Sequence, residues 1–435
     1  MRAALFSLLL LVGACASVPE DVTTGHPGVA PDSLDAIAES YVMLILDIGE
    51  LEPGYVDAYY GPAEWQTAAK AETETAAQLI QRAAYLSGRL ADLDRNGPTA
   101  MTPEEVQRRK YLVAHVSAAS ARLRMLSGEK MGFADEAEAL FGIRPELRPL
   151  ESFDPVLAEI DALLPGEGSL TDRVTAFKAD FVIPRDRLQA VMDAAIAECR
   201  ARTVRHIDLP AHERFTLSFV GDKPWSGYNY YLGNAASRIE INADFPIYTE
   251  RAIDLGCHEA YPGHHVYNAL LEQTFVRERG WVEMSVYPLF SPMSFVAEGS
   301  ANYGIDLAFP GEEGTRFERE VLFPLAGLDP ATAAKKAQLG ALTRRLARAE
   351  YTIADDYLAG RIERAEAIRR LMRYTLADEA KATQRLRFID TYRSYIINYG
   401  LGRDVVQAWV EGQGPDRWAS MERLLSSQIL PADID

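Results

Sequence analysis

Three of the chain's seven histidines fall within eight positions, in "CHEAYPGHHVY" (257–267). His258 followed by Glu259 opens as a zinc-peptidase helix does, where a second histidine four residues after the first completes the ligand pair. Here position 262 is proline, and the next histidines are His264 and His265. Imidazoles that hold zinc at about 2.0–2.1 Å must converge to within a few ångströms of each other. On a regular helix His264 would sit about 120° round from His258, and His265 about 10.5 Å further along the axis. Neither pair can chelate from an unbroken helix.

Pro262 and Gly263 supply the break. A proline inside a helix removes one hydrogen bond and clashes with the carbonyl four residues back, here that of His258. It also drives Tyr261 out of the α region, while Gly263 opens backbone conformations closed to other residues. The expected arrangement is a helix ending near Ala260, a short irregular loop, and a new helix through "HVYNALLEQTF". Such a loop can turn His264 or His265 back toward His258. The plainer alternative is a helix end whose histidines cap carbonyls or face solvent, which leaves Glu259 and the downstream Glu298 unexplained.

Glu298 lies in "FVAEGSANYGIDL" (295–307), an acid within a small and apolar stretch. Once buried it needs a partner, and a metal ion is one. Two histidines and a glutamate are the ligand set of several zinc hydrolases, with one position left for water. Asn302 follows one turn later and could support Glu298. Glu259 would be the general base, taking a proton from a zinc-activated water and passing it to the leaving amine. A tetrahedral intermediate also needs a hydrogen-bond donor. "DTYRSYIINYGLG" (390–402) offers Tyr395 and Tyr399 for that role, with Tyr392 beside them and Arg393 able to hold a carboxylate.

The elements that must carry these residues are mainly helical. Leu34, Ile37, Tyr41, Leu44, Ile45 and Ile48 share one helical face in "DSLDAIAESYVMLILDIGE" (32–50). "TPEE" (102–105) is a helix start, with Thr102 as N-cap, Pro103 first and Glu105 reaching back. "DPVLAEIDALL" (154–164) and "PRDRLQAVMDAAIAECRAR" (184–202) continue the pattern. Only "RFTLSFV" (214–220) and "SRIEINAD" (237–244) alternate like strands. They predict a small sheet or hairpin, joined by the Gly- and Tyr-dense segment 221–234. The fold class expected is therefore mainly α with a small β element, over a domain from 33 to 435 in which two lobes could meet near 205–250.

The first residues carry an address. "AALFSLLLLV" (3–12) after Arg2 reads as a secretory signal, too short for a permanent membrane helix. It covers 1–14 and ends at "VGAC", which resembles the bacterial lipobox, making Cys15 the lipidation site. Residues up to 32, rich in Pro, Gly, Thr and Ser, read as a tether. Cys199 and Cys257 remain. Because Cys257 lies directly before His258, the expectation is a buried free thiol and not a disulfide. The formal charge of −18 argues against nucleic-acid partners and gives no support to an electrostatic grip on anionic lipid.

"HEAYPGHH" followed by an "EG-x-A-x-Y" element resembles the bacterial family called domain of unknown function 885. Its members are largely helical, often lipoproteins, and related to the gluzincin metallopeptidases. The eight-residue motif is specific; the rest of the likeness is one of layout. The resemblance implies one zinc ion on His258, His264 and Glu298, with Glu259 as base. His264 is preferred because other gluzincins place the second ligand directly after glycine, which leaves His265 to support the site or touch substrate. This chain departs from the family's "EGWALYAE" at Ser300 and Ile305, and it has no clear "GQA" element before its tyrosines.

Together these features predict a lipid-anchored zinc metallopeptidase of the bacterial cell envelope, facing the periplasm or exterior. A helical body enclosing the site favours short peptides as substrates. Two rival readings remain: a peptide-binding lipoprotein without turnover, and a zinc hydrolase of non-peptide amides.

Overall fold

The computed structural model describes residues 33–96 and 101–435, so the signal, Cys15 and the tether lie outside the described residues. Of the structure, 67% is helical, and the mainly α expectation holds. The first helix runs Leu34–Leu51, with the Ser33 hydroxyl accepting from the Ala36 amide. Ile37, Tyr41, Leu44, Ile45 and Ile48 are all fully buried along it. The helix Pro103–Leu126 begins with Thr102 and Glu105 capping each other's amides. No helix among the described residues is long and apolar enough to cross a membrane.

Among the described residues, five strands form two small sheets. Strand β1 (Val56–Tyr59) pairs antiparallel with β5 (Val286–Pro288). Strands β2 (Arg214–Val220), β3 (Gly227–Gly233) and β4 (Ala236–Asn242) form the other, in the order β2-β4-β3. The two segments expected to make the hairpin pair in parallel instead. The hairpin is β3–β4, and β3 is built from the Gly- and Tyr-dense stretch read as a connection. Tyrosines favour a pleated, half-buried surface. Asn234 and Ala235 both take positive φ, the two-residue geometry that closes a hairpin with the right twist.

Two large apolar clusters make the core. One joins the N-terminal helices to segments between 286 and 397; the other joins the helix Leu188–Thr203 to the motif segment and the C-terminal helices. The helix Pro292–Ala308 serves both, giving Phe295 to the first and Val296 and Ala297 to the second. It crosses the helix Ile397–Gly412 so closely that a Cβ on Gly299 would lie 2.5 Å from the Gly402 carbonyl oxygen. Glycine at both positions is what allows the approach.

Cys199 and Cys257 form a disulfide, with Cα atoms 5.4 Å apart. The free-thiol expectation is therefore corrected. Cys257 precedes His258, but it turns toward the helix Leu188–Thr203, where Gly256 also packs close to Ile196. The bond spans 58 residues. Replacing both cysteines with alanine is expected to cost about 2–4 kcal/mol by loosening the unfolded chain's constraint. A denaturant melt of the double variant measures it, and an unchanged midpoint would refute the bond.

Candidate metal centre

The break in the motif has a defined geometry. The helix Thr249–Leu255 widens into a π turn over Gly256–Ala260. Tyr261 is extended, as a residue before proline prefers, and the Tyr261–Pro262 peptide is cis. Gly263 donates its amide to the Cys257 carbonyl at 3.0 Å, and the next helix starts at His264 and runs to Leu271. Gly263 is required by closeness, not by a left-handed backbone: a Cβ there would lie 1.7 Å from the His258 carbonyl oxygen. Pro262 in turn packs on Gly304 of the helix that carries Glu298.

This reversal brings His258 Nε2 and His264 Nε2 to 3.1 Å. Glu298 Oε2 lies 3.2 Å from the first and 3.7 Å from the second. His265, one residue on and about 100° round the helix, faces elsewhere. Its Nδ1 meets the Ser237 hydroxyl at 2.8 Å and its Nε2 meets Glu213 at 3.0 Å. Glu213 also accepts from the Tyr261 hydroxyl at 2.6 Å and from Arg200. His265 thus pins the loop to β4 and the segment before β2.

The three donor groups fit a metal ion. Their ligand atoms lie within 4.8 Å of one another, and Glu298 Oε2 is buried without a hydrogen bond. An acceptor in that position is costly unless something positive fills the gap. Burial pushes the Glu298 carboxyl up, but the charges of His264 and His258 hold it far below the usual carboxylate range. Burial works against a charge on His264, yet Glu298 raises it to about 9. Glu259 is buried beside the triad, and that burial raises its pKa. Gly227 of β3 stands against it, where a Cβ would reach within 2.7 Å of Glu259 Oε1.

The C-terminal tyrosines divide their work. Tyr395 donates its hydroxyl to Glu298 Oε1 at 2.8 Å, so it orients that carboxylate. Tyr399 stacks on His258 with ring centres 6.3 Å apart. Its hydroxyl is held protonated by burial and by the charges of Glu298 and Glu259. Tyr392 packs between Phe388 and Tyr395. Asn302 is spent on the Glu298 backbone carbonyl, at 2.9 Å. Arg393 is bound within the protein, its Nε donating to Glu136 at 2.7 Å.

Arg393 also takes a positive φ of 52°, an uncommon backbone for a residue with a Cβ. Glu136 holds this corner through the Ser394 amide and hydroxyl as well. The corner turns Tyr395 onto Glu298. Neither Glu136 nor Asp57 was visible by spacing. Asp57 accepts from the Tyr228 hydroxyl and feels the charges of His264, Glu298 and Glu259, while burial raises its pKa to about 6. Its signal in the sequence is a lone acid among the tyrosines of "GYVDAYYG", the same cue that singled out Glu298.

No family model matches the chain, and no curated protein matches it. Among solved structures, an inferred lipoprotein from Colwellia psychrerythraea aligns with a TM-score of 0.52 at 15% identity, covering 85% of this chain and 71% of that one. An inferred lipoprotein of unknown function from Shewanella oneidensis aligns at 0.47 and 14% identity, over 85% of this chain and 74% of that one. The M32 carboxypeptidase of Deinococcus radiodurans aligns at 0.40 and 13% identity, over 90% and 87%. The Colwellia protein shares the fold of this chain.

Gly263→Ala is expected to lower stability by more than about 3 kcal/mol, because the reversal cannot admit the methyl group; a thermal melt within 1 kcal/mol of wild type, to order of magnitude, would contradict this. Glu213 gives a pH signature. Burial alone would raise its pKa, but His265, Tyr261 and Arg200 hold it at about 2. A folded-state pKa below the unfolded one adds stability that is complete above about 4.5 and lost as pH falls toward 2. Glu213→Gln should cost about 1–3 kcal/mol at neutral pH, with the gap to wild type closing over that acid range. A gap that stays constant to pH 2 excludes the assignment.

Proposed function

We propose that the chain is a zinc metallopeptidase of the bacterial cell envelope, acting on short peptides and anchored through lipid at Cys15. The observation that carries the reading is the convergence of His258, His264 and Glu298 around a carboxylate oxygen that has no hydrogen bond. His258 Nε2, His264 Nε2 and Glu298 Oε2 would hold the ion. Zinc bound there would polarise a substrate carbonyl and make water more acidic.

The chain's own residues then divide the proton and charge work. Glu259, with its pKa raised by burial, is suited to accept a proton from the attacking water and return it to the leaving amine. The absence of a side chain at Gly227 leaves room beside its Oε1. Tyr399, whose ring stacks on His258, would donate a hydrogen bond to the oxyanion. Tyr395 keeps Glu298 in orientation, as the partners of metal ligands do. The site's burial within a helical body favours short, unfolded substrates, and the disulfide accords with an oxidising compartment.

Two measurements test this. Purified protein should bind about one zinc per chain by metal analysis, and Glu298→Gln should weaken that binding by about 10–100-fold or more. No zinc in either form sinks the reading. Where zinc binds, a peptide library should be cleaved by wild type, with Glu259→Gln slower by about 10²–10⁴-fold. Cleavage unchanged in that variant would refute the base, and zinc binding without any cleavage would favour a peptide-binding protein.

A further inference from the structure

Two consecutive residues of the helix Leu188–Thr203 hold the neighbours of both histidine ligands. Cys199 is bonded to Cys257, which directly precedes His258. Arg200 donates to Glu213 from Nε at 2.9 Å and from a terminal nitrogen at 2.6 Å. Glu213 meets His265 Nε2 at 3.0 Å, and His265 directly follows His264. Tyr261, midway between the two ligands, donates to the same carboxylate at 2.6 Å. One helical turn thus grips the residue before the first ligand and the residue after the second.

The covalent side of this clamp is tight. A Cβ on Gly256 would lie 3.2 Å from the Ile196 side chain and 3.4 Å from its amide nitrogen, so the two backbones nearly touch. Ile196 and Cys199 are three residues apart, on one stripe of the helix. The Cys257 carbonyl accepts from the Gly263 amide at 3.0 Å, which carries the constraint across the reversal to His264. Both cysteines are fully buried.

The ionic side is looser. The Arg200 side chain is 48% exposed, so water competes for its charge. A functional constellation tolerates displacement of its groups by only about 0.5 Å. With the S–S bond broken, Cys257 is held to the helix by packing alone, and the position of His258 relaxes with it.

We propose that the Cys199–Cys257 bond sets the zinc affinity of the site, so that metal loading follows oxidation of the pair. The proposal rests on the zinc reading above and adds a redox condition to it. Reduction by a dithiol breaks the S–S bond, leaves one proton on each cysteine sulfur and closes the dithiol to its own disulfide. In a compartment that keeps thiols reduced the chain binds zinc weakly, and it takes up its ion once the bond has formed. The coupling is reciprocal: the factor that the bond adds to zinc affinity, zinc adds to the bond's resistance to reduction.

The test measures zinc affinity by competition with a chromophoric chelator. It compares oxidised protein, protein reduced and then freed of the dithiol, and the Cys199→Ala/Cys257→Ala variant, each confirmed as folded without zinc by circular dichroism. The oxidised form should bind about 10–100-fold tighter than the other two, as for groups that orient metal ligands. Thr102→Ala, which removes a cap from another helix, should leave the affinity unchanged. A matching loss in that variant marks a global effect and overturns the proposal. Wild type gives the reciprocal reading in glutathione buffers with free zinc held fixed. Saturating zinc should lower the pair's reduction potential by about 30 mV for each tenfold of coupling, and an unmoved potential overturns the proposal. Equal zinc affinity in oxidised and reduced protein removes the coupling alone and leaves the metal site standing. Tighter binding after reduction, as free thiolates recruited to zinc would give, also overturns it. Failure of both thiol forms to fold does the same, because the bond then governs the whole fold and not the site. No zinc on any form removes the metal reading itself, and the coupling with it.

Discussion

The hydrogen bond from the Gly263 amide to the Cys257 carbonyl is the constraint on which the rest depends. It closes a reversal between a histidine that ends one helix and a histidine that begins the next. Proline stops the first helix, and glycine lets the returning chain touch the carbonyl of His258. Six residues that would splay two imidazoles apart on a straight helix instead place their Nε2 atoms 3.1 Å from each other. The disulfide at Cys257 and the pairing of His265 with Glu213 fix the two sides of this turn.

A second close approach delivers the carboxylate. Gly299 and Gly402 let two helices meet at backbone contact, so Glu298 and the tyrosine segment share one wall. The strained corner at Arg393, held by Glu136, then aims Tyr395 at Glu298. Each functional side chain is thus set by a neighbour whose own role is steric or electrostatic. Such supporting residues keep a site within the narrow tolerance that metal binding and proton transfer need.

Much of this was legible. His258, Glu259 and Glu298 stand out because charged or imidazole groups among small and apolar residues require partners. Thr102 and Glu105 announce a helix start by their own hydrogen-bonding reach. Other residues were not legible. Tyr395 reads as one tyrosine among three, and only its 2.8 Å contact with Glu298 separates it from its neighbours. Arg393 reads as a substrate clamp, yet it is held by a glutamate more than 250 positions away. In the sequence β3 reads as a connection, since glycine and asparagine blur its pattern until β4 pairs with it.

By itself the sequence determined the helical class, the break at Pro262 and Gly263, and the residue types able to bind a metal and move a proton. These follow from local physics: periodicity, the missing proline amide, and the cost of burying an acid. The tertiary structure decided that His264 and not His265 faces His258, that Cys199 joins Cys257, and that Asp57 of β1 accepts from Tyr228 of β3. Those outcomes depend on packing between segments far apart in the chain. Spacing along one segment carries no information about which distant backbone will close against it.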